Sequence, residues 1–108
     1  MTRSLRPADL HAAGAGQPLQ LAAQGFFWTG GELIDHPAAG KAMRGQQYVE
    51  YWIPLDLKHP LPIVMIHGGG GQGTDFLGTA DGREGWLHYF VRAGWAVYLV
   101  DRPQHGRS

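Results

Sequence analysis

The stretch Pro62-Ile-Val-Met-Ile-His-Gly-Gly-Gly-Gly-Gln-Gly73 decides the fold. Ile63 to Ile66 is an unbroken apolar run between a proline and a glycine tract, the pattern of a strand buried on both faces of a parallel sheet. The four adjacent glycines that follow, Gly68 to Gly71, remove every Cβ from the loop at that strand's carboxyl end. Backbone N–H groups can therefore approach a ligand in the crevice where α/β proteins bind their substrates. In acyl transfer such donors stabilise the negative oxygen of the tetrahedral intermediate.

Downstream, Trp86, Tyr89, Phe90 and Ala93 fall at i, i+3, i+4 and i+7, which predicts a helix with that stripe as its apolar face. Gly94 stands where a left-handed cap belongs. Ala96-Val-Tyr-Leu-Val100 repeats the buried-strand signature. Strand, glycine loop, helix and strand together make the right-handed crossover of an α/β sheet.

Upstream, Gln46 to Pro54 alternates, with Gln47, Val49, Tyr51 and Ile53 on one face and Tyr48, Glu50 and Trp52 on the other. Pro54 ends this strand. Gly25-Phe-Phe-Trp-Thr-Gly-Gly-Glu-Leu-Ile34 reads as a hairpin turning at Thr29-Gly30-Gly31, and Pro37 to Gly45 reads as a loop. Residues 1–23 mix Ala, Gly, Gln and Pro without periodicity and are expected to form a weakly ordered lead-in to a single unit over 24–108.

Among the 108 residues, nine Lys and Arg balance nine Asp and Glu, so the formal charge gives no reason to expect nucleic acid or an acidic membrane surface as partner. Cysteine is absent, which excludes thiolate catalysis, disulfides and cysteine-based zinc sites. No side-chain cluster has metal-ligand spacing, and neither a metal nor an organic cofactor is implied. The N-terminus Met1 to Leu10 lacks an apolar stretch of signal-peptide length, so the expected location is cytoplasmic.

His67-Gly-Gly-Gly70 after a buried strand resembles the oxyanion motif of lipases and esterases of the α/β-hydrolase superfamily. Asp101-Arg-Pro-Gln-His-Gly-Arg-Ser108 is similar to the Asp-x-x-Gly-x-Gly-x-Ser loop after that superfamily's fourth strand. The blocks Gln47 to Pro54 and Thr79 to Trp86, and the aromatic Gly25 to Gly31, look like a branch of bacterial esterases. One position departs: Gln104 stands where the family usually has glycine, and its backbone there needs a positive φ.

The resemblance implies an α/β fold, the N-terminal portion of an α/β-hydrolase, with antiparallel first strands and then parallel strand-helix-strand. It implies part of a serine hydrolase acting on small-molecule carboxylic esters. Gly69 N–H is the expected oxyanion donor and Gly70 N–H its substitute, with Gly68, Gly71 and Phe76 lining the substrate site. Serine nucleophile, acid and histidine would lie beyond Ser108, on a further segment or a companion polypeptide carrying Gly-x-Ser-x-Gly. His67 and His105 read as structural, Asp101 as an anchor for its loop, and Ser108 as non-catalytic.

Two other readings exist. Gly68-x-Gly70-x-x-Gly73 with the later Asp101 has the form of a dinucleotide-binding fingerprint, but no helix is expected to open at the third glycine. A non-catalytic, hydrolase-like binding module would differ from an enzyme in lacking the triad.

Overall fold

The structure, a computed structural model, describes residues 18–108. Four strands, β1 (Leu21–His36), β2 (Gly40–Pro54), β3 (Ile63–Ile66) and β4 (Val97–Asp101), form one mixed sheet in the order β1-β2-β4-β3. β1 pairs antiparallel with β2, β2 antiparallel with β4, and β3 parallel with β4. A single 3-10 turn (Gly73–Phe76) and one helix, α1 (Trp86–Arg92), complete the β3-to-β4 crossover. The lead-in reading falls mostly outside the described residues; of 1–23, Leu21 to Ala23 already belong to β1.

The hairpin corrects the sequence reading. Thr29 pairs with Gln47, Gly30 with Gln46 and Glu32 with Arg44, so the same register continues on both sides of the expected turn and takes in Gly40 to Arg44 of the expected loop. Gly30, Gly31 and Gly45 take positive φ within the ribbon, where Gly30 pairs with Gln46. The chain reverses instead at Pro37-Ala38-Ala39. His36 Nδ1 there accepts hydrogen bonds from the N–H groups of Ala38 and Ala39, both 3.1 Å, and Gly40 supplies φ +80°. Proline opening the turn and glycine in the left-handed position closing it are the signals that outcompeted Gly30-Gly31.

α1 forms where expected but presents a different face. Leu87 and Val91 are fully buried against Met65, Val97 and Leu99, whereas Trp86 and Tyr89 lie exposed. The helix has two apolar stripes, and the one spaced i, i+4 at Leu87 and Val91 meets the sheet. Gly94 (φ +92°) closes it: Gly94 N–H donates to Val91 O at 3.0 Å and Trp95 N–H to Phe90 O at 3.1 Å, the paired bonds of a Schellman cap. Arg92 grips both carboxylate oxygens of Glu84 at 2.6 and 2.8 Å, fixing the helix to the preceding loop.

One sheet face carries this core. On the other, Val64 and Ile66 of β3 are 55% and 59% exposed, so the strand expected to be buried on both faces is covered on one among the described residues. β4, flanked on both sides, buries Val97, Leu99 and Val100. The carboxyl ends of the two parallel strands, β3 and β4, place the glycine loop beside the Asp101 loop.

Candidate active site

β3 delivers His67 into a buried position, and the chain then turns at once. Gly68 C=O accepts the Gly71 N–H at 3.1 Å, with Gly69 and Gly70 as the central residues. Gly70 has φ +76°, the value the third position of a type II turn requires and side-chain-bearing residues adopt at a cost. An added Cβ at Gly68, Gly69 or Gly70 would meet nothing within 4 Å, so the turn faces open space. Among the described residues the N–H groups of Gly69 and Gly70 have no hydrogen-bond partner. Two adjacent amide donors thus stand free at the carboxyl end of a parallel strand, where an oxyanion can be received.

His67 ties this turn to the next loop. Arg102 N–H donates to His67 Nε2 at 3.0 Å, so Nε2 carries a lone pair; Nδ1 then bears the proton and donates it to Gly68 O at 2.8 Å. Both ring nitrogens are engaged, and the imidazole is a strut rather than a base. The His105 ring lies 5.1 Å from it, with its own Nδ1 3.0 Å from Pro103 O.

Asp101, fully buried at the end of β4, is the second anchor. Oδ1 accepts Gly73 N–H at 2.6 Å, and Oδ2 accepts both the N–H and Nε–H of Arg107 at 2.8 Å. Burial opposes ionisation of this carboxyl, but the bonds from Arg107 and Gly73 outweigh it and hold Asp101 below the usual carboxylate range. Arg107 also donates to Glu50 Oε2 at 2.8 Å and lies 4.1 Å over the Tyr48 ring. Burial counts against its charge, yet Asp101 and Glu50 push its pKa upward. Glu50 Oε1 in turn accepts Trp52 Nε1–H at 3.0 Å. Gly73 has to be glycine, because a Cβ there would lie 2.7 Å from Asp101 Oδ1.

Ser108 is held in the same network. Its hydroxyl donates to Asp101 O at 2.6 Å and accepts Tyr48 N–H at 2.8 Å, so it ties the end of the loop to β2 and β4. Gln104 adopts φ +65°, the left-handed value that its glycine-like position demands.

Of the residues proposed from sequence, Gly68, Gly69, Gly70 and Gly71 come together in one turn. Phe76 does not join them: it packs against the core with Leu77, its ring 6.2 Å from that of Trp86. It lines a shallow groove of about 530 Å³ with Thr79, Glu84, Trp86 and Tyr89, a groove that does not include the glycine turn. The Tyr48–Glu50–Arg107 cluster escaped sequence reading, although a glutamate inside an aromatic strand is a signal for a buried ion pair. The dinucleotide reading lacks its helix. The glycine loop leads into four residues of 3-10 turn, and α1 begins only at Trp86, so no helix N-terminus stands where a pyrophosphate would need one.

This chain is 36% identical to a bacterial esterase of known structure, with a TM-score of 0.79 over 88% of this chain and 32% of that one. The chain is related to the esterases of the α/β-hydrolase superfamily. Over 83 residues, 77% of its length, it is also 39% identical to the protein named "Probable secreted lipase phiG" of Fungal sp. (strain ATCC 74256). No family model matches. The chain spans about a fifth of the lipase, 20%, and about a third of the esterase, 32%. The lipase corrects one expectation. A cytoplasmic location rested on the lack of a signal peptide in the first residues, whereas the similar lipase is named a probable secreted one, so the cytoplasmic expectation does not stand.

Proposed function

We propose that this chain is the N-terminal, oxyanion-hole-bearing portion of a serine hydrolase that cleaves carboxylic esters of small molecules. The observation that carries the reading is the free pair of N–H groups at Gly69 and Gly70, on the first turn after β3, in a chain related to esterases. In the reaction a serine hydroxyl attacks the ester carbonyl while a histidine takes its proton, and the carbonyl oxygen becomes negative. Gly69 N–H, with Gly70 N–H as its substitute, donates to that oxygen. Collapse of the intermediate expels the alcohol, and water repeats the cycle on the acyl-enzyme. His67 and Asp101 keep the turn rigid, so the donors need no reorganisation when charge develops.

Serine, acid and histidine lie, in this reading, outside residues 1–108, on a further segment or a companion polypeptide. Three observations support that placement. Ser108 is fully hydrogen-bonded, no Gly-x-Ser-x-Gly occurs in the sequence, and both relatives are several times longer than this chain.

Gly69→Pro in the complete hydrolase tests the role. Proline suits the second position of a type II turn, so the substitution deletes the donor while keeping the backbone path. Turnover should fall about 100-fold or more with KM little changed, as for loss of one oxyanion donor. Wild-type turnover in a variant with an unaltered circular dichroism spectrum and melting temperature would reject the assignment.

A further inference from the structure

Arg102 is the first residue after β4, and its backbone is one imidazole ring away from the glycine turn: its N–H donates to His67 Nε2, and His67 Nδ1–H donates to Gly68 O. The other described arginines each hold a carboxylate, Arg44 that of Glu32, Arg83 that of Asp81, Arg92 that of Glu84, and Arg107 those of Asp101 and Glu50. The Arg102 guanidinium holds none among the described residues, and its Nε is buried without a hydrogen-bond partner. A buried N–H left unpaired is costly unless something arrives to take it. Asp101, the residue before it, is engaged, since both its oxygens are used by Gly73 and Arg107. The rest of the loop, Pro103 to Ser108, contains no acid.

We infer that Arg102 receives a carboxylate carried by the substrate, so that the enzyme prefers esters bearing a free carboxylate over neutral ones. The inference rests on the ester-hydrolase reading above. A guanidinium fork matches a carboxylate in two parallel hydrogen bonds, and the Arg102 backbone follows the carboxyl end of β4, the end of the strands where open α/β sheets bind ligands. A carboxylate from elsewhere in the hydrolase would satisfy the same fork, and the test separates the two sources.

The complete hydrolase and its Arg102→Met and Arg102→Lys variants are compared on the monomethyl and dimethyl esters of one short dicarboxylic acid. The ratio of kcat/KM for the half-ester to that for the diester should fall about 10- to 100-fold in Arg102→Met and recover in part in Arg102→Lys. Binding of the free dicarboxylate, read by calorimetry without turnover, should weaken in step. An unchanged ratio with unchanged binding overturns the proposal. The same result with a lowered melting temperature also overturns it, assigning Arg102 to a carboxylate of the protein itself. Wild type that hydrolyses neither ester yet binds the dicarboxylate through Arg102 would sink the ester-hydrolase reading and leave the receptor standing.

Discussion

Gln104 holds φ +65° in the loop after β4, where a side chain crowds its own backbone by about 1–2 kcal/mol. Replacing it with glycine removes that strain but adds freedom to the unfolded chain, which returns about 0.5–1 kcal/mol. Gln104→Gly should therefore stabilise the protein by on the order of 0.5–1 kcal/mol, seen as a raised midpoint in denaturant. A lowered midpoint would mean that the glutamine side chain makes up for its backbone. This strain was legible in the sequence, because the position sits in a motif that elsewhere carries glycine. The glycine turn was legible for the same kind of reason, as four residues without Cβ after a buried strand admit few uses. The partners of Asp101 were not, since Gly73, Arg107, Glu50 and Tyr48 come from segments that only the sheet brings together.

At the scale of elements, the apolar pattern located β3, β4, the helix and the second half of β2, whereas β1 was read as a hairpin and the start of β2 as a loop; tertiary packing decided the rest. Gly30 and Gly31 carry the positive φ their identity suggests, yet a ladder of matched neighbours on both sides holds them inside a ribbon. Likewise α1 has two apolar stripes, and periodicity cannot say which one meets the sheet. His88 sits on the sheet-facing side, its ring 5.4 Å from Trp52 in an edge-on contact and its Nδ1 buried without a partner. Burial pushes its pKa below the ordinary histidine value, with Glu84 partly opposing the shift. The folded state therefore binds fewer protons than the unfolded one, so this contribution is complete above the ordinary value of about 6.5 and is lost as pH falls through the lower folded value. Thermal melts should show wild type losing more stability between pH 7 and pH 5 than His88→Gln does. Parallel losses in the two proteins would contradict the lowered His88 pKa in the folded state.

Among the described residues, the sheet packs α1 against one face and leaves the other exposed at Val64 and Ile66, and β1 and β3 form its two edges. The described residues spread over 53 × 43 × 22 Å with a radius of gyration of 17.0 Å, against about 13 Å for a compact domain near this length. Two apolar strands in the sequence already asked for cover on both sides; what covers the second side lies in no residue described. The chain spans only 20% of the lipase and 32% of the esterase to which it is similar. The most direct measurement of the central claim is the structure of the complete hydrolase after reaction with a serine-directed phosphonate ester. The phosphorus should be bonded to a serine outside residues 1–108, with its negative oxygen about 2.7–3.1 Å from Gly69 or Gly70 N–H. An adduct on Ser108, or a phosphonate oxygen met only by side chains, would contradict the account.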